Sequence, residues 1–525
     1  MINAKTIEEF LNRPVEEWEW LKSYGHADLD QALNELDPPI SAVHLRLHQK
    51  VGLLIALELK RFMFHMDPGA GKTLLTLELI RYRKLCGEQP RAIVFVPYIS
   101  AVDTWVEEVK KHAPDLRCIP LVGSSDANRS RLDQSGDLFV ACYQSAVAMV
   151  CEKGNATVGG KAQKAHGRNK WQLNAKQVRE LFSSFDMLIL DEVHKCKTVS
   201  SLTYRMCRAI SSQCTWAFGL TGTPSGKDLS DLWPQFYLVD FGETLGPTLG
   251  FYRAAFFKSN INYWGGLDFV FNPRLMPVLK RIIKHRSIHY GVDEFSDMPE
   301  KEYIQRTLTL PAGNAGYAEV SMKAIREALK NGNGNYQEVE SNYLKLRQLS
   351  SGFLTLKGED NDRIQISFEN NPKLETLLDT LDGIPSDRKC VVWHHFVYSN
   401  HLLSSGIAGR FPGLPVARIW GGQKDPSREL KRFREDPNCR FLVINIKSGS
   451  SSLNLQFANY LIFFEQPDSP IDRAQAEARV WRPGQKHRVM IYDFLMKGTV
   501  DHQLYKSNKE GANLLQELMR GKSEL

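Results

Sequence analysis

Apolar residues fall into two patterns along the chain: short continuous runs, and longer stretches in which they recur every three or four positions. The runs at 62–64, 92–96, 138–141 and 187–190 are typical of buried parallel strands. Leucines at 74, 75, 77 and 79, followed by Ile80, have the spacing of a helix. Strands that alternate with helices predict a parallel sheet covered by helices on both faces.

A second segment with the same alternation begins at Lys373 and has strand-like runs at 390–393, 441–444 and 461–464. Residues 225–300 are expected to be mainly helical, and residues 313–356 to form long helices interrupted by a loop tip at 331–335. The predicted fold class is therefore α/β, with two parallel-sheet lobes in tandem and helical insertions. We divide the chain into an accessory helical segment (1–40), a first lobe (41–240), a helical insertion or linker region (241–365), a second lobe (366–510) and a tail (511–525).

The composition is that of an ordinary globular protein, with 525 residues of which 42% are hydrophobic and 24% charged. A net charge of +7 permits a polyanionic partner but does not identify one. The chain has no run of eighteen apolar residues, so no membrane span is expected, and its acidic, polar N-terminus is unlike a signal peptide. Nine cysteines without a CxxC pair indicate reduced thiols. We expect a cytoplasmic protein of a bacterium or a phage-infected host, or a nuclear one if the source is a eukaryote.

The stretch 61–84 carries the strongest chemical signal, because a strand, a glycine-bearing loop and a helix start follow one another. The loop consists of Asp67, Pro68, Gly69, Ala70, Gly71, Lys72 and Thr73. Its glycines let backbone N–H groups approach phosphates, Lys72 reaches the β- and γ-phosphates, and the Thr73 hydroxyl can hold Mg²⁺. Met66 stands where the usual pattern has a glycine. The alternative, a chance match in an ordinary loop, is disfavoured by the flanking strand and helix.

Two adjacent carboxylates follow the apolar run at 187–190. Asp191, at the carboxyl end of this strand, is predicted to hold Mg²⁺ directly or through water. Glu192 is predicted to orient and deprotonate the attacking water. The alternative is a strand that ends in a solvated acidic turn.

Two further stretches supply polar groups that suit a nucleotide site. Gln49, ahead of the phosphate loop, can read both edges of adenine with its amide, although a lone glutamine is more often a surface residue. Gln475, Arg479 and Arg482 are spaced i, i+4 and i+7, which places them on one helical face. The two guanidinium groups could reach across a cleft to a γ-phosphate on the first lobe. The alternative is an ordinary basic surface helix.

Two basic stretches leave their interpretation open. Residues 153–176 are rich in Gly, Asn and Lys, and residues 280–286 hold five basic side chains. Either stretch is consistent with a contact to a DNA backbone or with a solvated surface.

Together these stretches resemble the Swi/Snf-like DNA translocases of helicase superfamily two, over about residues 40–510. The resemblance rests on the order and spacing of LRLHQ at 45–49, the loop at 67–73, DEVH at 191–194, LTGTP at 220–224, LNL at 453–455 and the arginine stretch 475–485. It implies nucleotide contacts for Arg46, Gln49 and Gln475, and coupling of hydrolysis to motion for His194, Thr221, Gly222, Thr223 and Asn454. Pro68, Ser450–Ser452 and Ala478 depart from the family pattern. None of them removes a catalytic group, but the serines and Ala478 leave the efficiency of coupling open.

The resemblance implies two RecA-like lobes that close on ATP and Mg²⁺. It also implies a DNA-stimulated ATPase whose hydrolysis drives movement along double-stranded DNA without regard to sequence. A strand-separating helicase and the motor subunit of a restriction or repair complex are the alternatives, followed by a scaffold that binds ATP and DNA without hydrolysis. We expect a monomer with no membrane contact, of the size of a minimal phage or bacterial motor.

Overall fold

The computed structural model describes residues 4–40, 44–153, 171–226, 228–261, 267–310, 336–357, 363–368, 370–423, 425–449 and 453–520. The chain divides into two compact units, the first comprising Met1–Ser296 with Leu515–Leu525 and the second Asp297–Leu514. The basic residues between 154 and 170, the predicted tip at 331–335 and Ser450–Ser452 lie outside the described residues.

The first unit is built on a seven-stranded sheet. The strands of this unit are β1 (Arg61–Met66), β2 (Ala92–Val96), β3 (Cys118–Leu121), β4 (Leu138–Cys142), β5 (Cys151–Lys153), β6 (Trp171–Leu173), β7 (Met187–Asp191), β8 (Trp216–Thr221), β9 (Phe257–Ile261), β10 (Leu267–Phe271) and β11 (Ser287–Tyr290). The sheet order is β11-β1-β8-β7-β2-β4-β3, and all neighbouring strands are parallel. β5 with β6, and β9 with β10, form separate antiparallel pairs.

Helices cover this sheet, as the alternating sequence pattern predicts. They are α1 (Ala4–Asn12), α2 (His26–Asn34), α3 (Leu47–Leu59), α4 (Lys72–Leu85), α5 (Ile99–His112), α6 (Ser125–Leu132), α7 (Tyr143–Val150), α8 (Ala175–Leu181), α9 (Leu202–Ser211), α10 (Leu232–Asp240), α11 (Leu249–Phe256) and α12 (Met276–Ile283). Phe62, Phe64 and Met66 point to one face of β1 and are fully buried in a cluster that includes apolar residues of α3 and α4. Burial on both faces explains why these strands read as continuous apolar runs.

The N-terminal segment packs against α11 and α12 of the first unit. Phe10 makes an edge-on ring contact with Phe251, with their centroids 5.0 Å apart. Lys284 forms an ion pair with Glu19 at 2.6 Å, and the Arg281 guanidinium donates to the backbone carbonyls of this segment. Arg286 forms a bidentate pair with Glu243. The basic stretch 280–286 is therefore largely paired within the unit, which neither sequence interpretation anticipated.

The second unit is built on a six-stranded sheet. The strands of this unit are β12 (Lys301–Leu308), β13 (Phe353–Lys357), β14 (Arg363–Ser367), β15 (Cys390–His394), β16 (Val416–Ile419), β17 (Phe441–Asn445), β18 (Tyr460–Phe463) and β19 (Val489–Met496). Its helices are α13 (Tyr336–Ser350), α14 (Pro372–Asp382), α15 (Val397–Arg410), α16 (Pro426–Glu435), α17 (Ile446–Gly449), α18 (Pro470–Val480) and the part of α19 (Val500–Arg520) that precedes Leu515. The sheet order is β12-β19-β18-β15-β17-β16, again with every pair parallel. β13 and β14 form an antiparallel hairpin.

Two parallel α/β sheets confirm the predicted fold class, and three local expectations need correction. Residues 225–300 are not mainly helical, because they also contain β9, β10 and β11. The second sheet does not begin at Lys373, because β12 already pairs with β19. Residues 511–520 continue the last helix instead of forming a tail. The five-part division of the chain stays a prediction.

Two further observations concern the cysteines and the helices. All nine cysteines are free, in line with the expected thiols. Among the described helices, none has the length and apolar character needed to cross a membrane.

A buried ion pair and its hydrogen bonds join four elements of the second unit. Lys373, at the start of α14, is fully buried, and its ammonium group donates to Asp501 Oδ2 at 2.7 Å. The same carboxylate accepts hydrogen bonds from the Ser350 hydroxyl at 2.9 Å and from the Met496 backbone N–H at 3.1 Å. Asp501 therefore ties α14, the end of β19 and the end of α13 to the start of α19.

We expect Lys373→Met to destabilise the second unit by about 3–5 kcal/mol, because it leaves the Asp501 carboxylate buried without its cation. Lys506→Met is the matched control, since Lys506 pairs with Glu510 on an exposed face of α19 and its side chain is 79% exposed. Urea unfolding of both variants measures the difference. Equal stability of the two variants would contradict this assignment.

Candidate functional site

The predicted phosphate loop lies between β1 and α4. β1 ends at Met66, and α4 begins at Lys72. Gly69 and Gly71 have φ angles of 90° and 75°, a backbone region that L side chains adopt with strain. A Cβ atom on Gly71 would lie 2.2 Å from Gln49 Nε2, so glycine is required here for space as well as for conformation.

The Lys72 ammonium group lies over the backbone of this loop. Its Nζ donates to the carbonyl oxygens of Met66 at 2.6 Å and of Asp67 at 3.4 Å. Thr73, the next residue of α4, is half-buried. A cation and a hydroxyl thus stand side by side at the helix N-terminus, where backbone N–H groups favour an anion.

Residues at the start of α3 form hydrogen bonds to the phosphate loop. Gln49 accepts a hydrogen bond from the Arg46 backbone N–H at 2.9 Å, and its Nε2 donates to the carbonyls of Ala70 and Gly71, both at 3.2 Å. His48 Nε2 lies 2.7 Å from the same Ala70 oxygen and therefore donates to it. Gln49 is buried and holds the loop, whereas Arg46 is exposed. Contact of either side chain with adenine stays a prediction.

The LTGTP turn packs against the phosphate loop. It follows β8, which is the neighbour of β1 in the sheet. A Cβ atom on Gly222 would lie 3.0 Å from the Met66 carbonyl oxygen and 3.2 Å from Pro68. On the other side of the loop, Asp67 Oδ2 accepts a hydrogen bond from the Val292 backbone N–H at 3.0 Å. The loop is therefore held between the turn after β8 and the segment after β11.

The two predicted carboxylates lie at the carboxyl end of β7, on the side of β8 away from β1, where Asp191 ends the strand and Glu192 follows it. Asp191 Oδ2 accepts a hydrogen bond from the indole N–H of Trp105 at 3.0 Å, and the Tyr143 hydroxyl donates to the Asp191 carbonyl at 3.1 Å. Glu192 has a φ of 52°, a left-handed conformation that is costly for a residue other than glycine. This conformation turns the Glu192 side chain toward the LTGTP turn.

Thr221 connects the carboxylate to the turn. Its hydroxyl accepts the Thr223 backbone N–H at 3.1 Å and donates to Glu192 Oε2 at 3.0 Å. His194 Nδ1 lies 3.2 Å from the same Glu192 oxygen and 3.3 Å from the Thr221 hydroxyl. Two of the predicted coupling residues, Thr221 and His194, therefore meet at one oxygen atom of the predicted general base, and a third, Thr223, is bonded to Thr221.

The two carboxylates have opposite electrostatic environments. Burial, and then the neighbouring charge of Glu192, raise the pKa of Asp191. Burial also acts to raise the pKa of Glu192, but the hydrogen bond and charge of His194, the charge of Lys72 and the Thr221 bond outweigh it and lower that pKa. Glu192 is therefore held in its ionised form, as a proton acceptor requires.

The predicted arginine stretch belongs to the second unit. α18 carries Gln475, which is buried, and Arg479, which is half-buried, and Arg482 follows the helix. The Leu455 backbone N–H donates to the Arg479 carbonyl at 2.9 Å, which places the stretch beside the LNL segment. Within that segment the Asn454 side chain accepts the Gln456 backbone N–H at 3.3 Å.

Gln485 fixes the turn that carries Arg482. Its Nε2 donates to the carbonyls of Ala458 at 2.7 Å and Val480 at 3.2 Å, and its Oε1 accepts the backbone N–H groups of Lys486 and His487. The structure thus gathers the predicted residues into two groups, one in each unit. A role of the arginines at a nucleotide on the first unit stays a prediction.

Two contributors to the site escaped sequence reasoning. Nothing in the sequence indicated that the indole of Trp105 reaches Asp191. His48 precedes the predicted adenine reader and contacts the phosphate loop as closely as Gln49 does. No sequence signal identified His48, because adjacent residues of a helix point in different directions.

Comparison with known proteins agrees with this geometry. Residues 48–335 match the SNF2-related domain, and residues 372–484 match the helicase conserved C-terminal domain. The chain belongs to the SNF2-related family. The first match covers more than half of the chain and includes the phosphate loop, both carboxylates and the LTGTP turn, while the second includes Gln475, Arg479 and Arg482.

Several SNF2-family relatives are similar to most of this chain. YwqA of Bacillus subtilis (strain 168), provisionally named an ATP-dependent helicase/translocase, is 24% identical over 88% of this chain and 47% of its own length. Protein CHROMATIN REMODELING 25 of Arabidopsis thaliana is 24% identical over 85% of this chain and 51% of its own length. The chain therefore spans about half the length of these curated relatives. The SWI2/SNF2 ATPase core of Sulfolobus solfataricus, solved in complex with dsDNA, is 18% identical with a TM-score of 0.39, over 90% of this chain and 94% of that one.

We expect Gly71→Ala to lower the affinity for an ATP analogue by at least about tenfold, because the new methyl group displaces Gln49 from the loop carbonyls. Gly87→Ala is the matched control: Gly87 has a similar φ of 80°, but a Cβ there meets nothing within 4 Å. Titration with a fluorescent ATP analogue, alongside thermal unfolding, separates the two effects. Equal analogue affinity in both variants would show that the loop tolerates the methyl group.

Proposed function

We propose that this protein is a DNA-stimulated ATPase that uses hydrolysis to move along double-stranded DNA. The single observation that supports it most is the Thr221 hydroxyl, which donates to Glu192 within a turn packed on the phosphate loop. A change at the loop is transmitted through this turn to the general base. The family membership and the names of the relatives support the same activity.

The donor set of the first unit fits ATP with Mg²⁺. The Thr73 hydroxyl and the Asp191 carboxylate are oxygen ligands of the kind that Mg²⁺ prefers, and Trp105 fixes the orientation of the carboxylate. When bound, the ion would neutralise charge on the β- and γ-phosphates. Gly69, Ala70 and Gly71 would present backbone N–H groups to those phosphates.

Glu192 acts as the proton acceptor in this proposal. Its lowered pKa keeps it ionised, and its hydrogen bonds from Thr221 and His194 fix the carboxylate in place. It orients a water molecule for attack on the γ-phosphorus and takes up the proton. Lys72 brings positive charge to the phosphates, and Arg479 and Arg482 would stabilise the negative charge of the transition state.

DNA is the proposed track, and we expect the contacts to be mainly to its phosphates. Binding should then be nearly independent of sequence and should weaken steeply with salt. ATP hydrolysis measured without nucleic acid and then with single-stranded DNA, duplex DNA and RNA tests the proposal. We expect duplex DNA to stimulate most. Displacement of a triplex strand, compared with unwinding of a forked duplex, distinguishes a translocase from a strand-separating helicase.

We expect Glu192→Gln to retain ATP and to lose turnover by at least about a hundredfold, because the amide cannot accept the proton. Glu180→Gln is the control, since Glu180 lies on the exposed face of α8. ATP binding and steady-state hydrolysis are measured on both. Turnover at the wild-type rate in Glu192→Gln would exclude the residue as the general base.

We expect Arg482→Ala to lower the DNA-stimulated rate by at least about tenfold while leaving ATP binding nearly unchanged, as an arginine acting on the transition state predicts. Arg410→Ala is the control, because Arg410 ends α15 and pairs with Asp382 on the surface. The comparison uses kcat with saturating duplex DNA. If Arg482→Ala retains the wild-type kcat, the finger assignment is wrong.

A further inference from the structure

The helix α18 has two opposite stripes of functional side chains. Gln475 and Arg479 lie on one side, and Arg482 follows after the helix ends. Arg473, Glu477 and Trp481 are spaced i, i+4 and i+8 and lie on the other side, since two residues along a helix turn the side chain by about 200°. Sequence reasoning assigned no role to the second stripe.

Arg473 anchors this second stripe to the sheet. Its guanidinium group forms a bidentate pair with Asp493 of β19, and its Nε donates to Glu477 Oε1 at 2.7 Å. Its guanidinium carbon lies 3.6 Å from the centre of the Phe463 ring on β18. Because the guanidinium is buried and bonded on several sides, it holds α18 in one rotational setting on the sheet.

Glu477 connects α18 to β12, an edge strand of this sheet. Its Oε2 accepts a hydrogen bond from the Tyr303 hydroxyl at 2.8 Å and lies 3.4 Å from the Lys301 ammonium group. Burial acts to raise the pKa of Glu477, but the charges of Arg473 and Lys301 outweigh it and lower that pKa. The carboxylate thus remains an ionised bridge between α18 and the first strand of the second unit.

Trp481 completes the stripe, between Arg479 and Arg482. Its indole N–H donates to the Pro299 carbonyl at 2.7 Å, and the Lys301 ammonium group lies 4.4 Å from its ring. Its own backbone N–H donates to the Glu477 carbonyl at 2.9 Å, which continues the helical bonding. The second unit begins at Asp297, so Trp481 holds the chain only two residues after it enters this unit.

We propose that Arg473, Glu477 and Trp481 couple the chain entering the second unit to the arginine stretch, with Trp481 as a positioning residue for Arg479 and Arg482. The proposal rests on the proposed function, because it assigns a route by which motion of the entering chain alters the orientation of the arginines. A displacement at Pro299 acts directly on the Trp481 indole. Arg482 directly follows Trp481 in the chain, so the displacement reaches the Arg482 side chain through the adjoining backbone.

Trp481→Phe removes the indole donor and keeps an aromatic ring beside Lys301. We expect the DNA-stimulated kcat to fall about three- to tenfold, the effect of losing one hydrogen bond that orients a catalytic group, with the KM for ATP unchanged. Trp233→Phe is the matched control, because its buried indole N–H donates to the Gly246 carbonyl in the first unit at 2.9 Å. We expect that control to retain the wild-type kcat.

A readout other than turnover separates positioning from general destabilisation. Hydrogen exchange of the amides at 470–485 should be faster in Trp481→Phe than in wild type, with the remaining amides of the second unit unchanged and a thermal midpoint equal to that of Trp233→Phe. Tyr303→Phe, which removes the hydroxyl bond to Glu477, provides a second route to the same result should Trp481→Phe fail to fold. We expect it to lower kcat without changing KM.

The outcomes distinguish the two proposals. If nucleic acid does not stimulate ATP hydrolysis by the wild-type protein, the proposed function is wrong. The hydrogen-exchange experiment would still report whether the bond between Trp481 and Pro299 orders residues 470–485. If the wild type is active, and Trp481→Phe and Tyr303→Phe both keep the wild-type kcat and the wild-type rates of hydrogen exchange, the coupling proposal alone is wrong. A change in KM with kcat retained would also overturn it, because positioning of a transition-state group acts on kcat.

Discussion

The arrangement of the first unit depends on one constraint, the adjacency of β1, β8 and β7 in a parallel sheet. Parallel strands present their carboxyl ends at one edge, so the segments that follow these three strands must meet there. The phosphate loop follows β1, the LTGTP turn follows β8 and the two carboxylates follow β7. The middle strand therefore leads into the turn that touches both neighbours. The Thr221 hydroxyl lies 3.0 Å from Glu192 Oε2, and a Cβ atom on Gly222 would lie 3.0 Å from the Met66 carbonyl oxygen.

The second unit uses buried charge to fix its elements. Lys373 and Arg473 are both buried cations on helices, and each has a carboxylate on or next to β19 as its main partner. A buried ion pair contributes little net stability compared with apolar packing, but removing one partner is costly. Such pairs are therefore well suited to define the position of an element. In this unit they set the positions of α14 and of the arginine-bearing α18.

Much of the fold was predictable from the sequence, and the exceptions have physical causes. Apolar runs such as 92–96 and 441–444 identified central strands, because burial on both faces leaves no polar positions. β3 was missed because Pro120 interrupts it, which an edge strand tolerates. β12 was missed because it is also an edge strand and its residues are mostly exposed, so that its alternation carries little apolar signal.

The positions of Lys72, Asp191 and Glu192 at strand ends and a helix start were predictable, because local motifs define them. The candidate site was not predictable where contact depends on distant packing. The bond between Trp105 and Asp191 joins residues 86 positions apart, and that between Trp481 and Pro299 joins residues 182 positions apart. Charge patterns were similarly ambiguous: the basic residues after α12 found their partners in Glu19 and Glu243, which only the folded chain brings near them.

The left-handed backbone conformation of Glu192 implies a conflict between stability of the fold and activity. A carboxylate residue at a φ of 52° costs on the order of 1 kcal/mol relative to glycine, which adopts this region freely. Relief of that strain by glycine would remove the proposed proton acceptor together with its bonds to Thr221 and His194. In the proposed mechanism turnover depends on this residue, so selection for heat resistance alone would act against it, and the position would be kept only while hydrolysis is under selection.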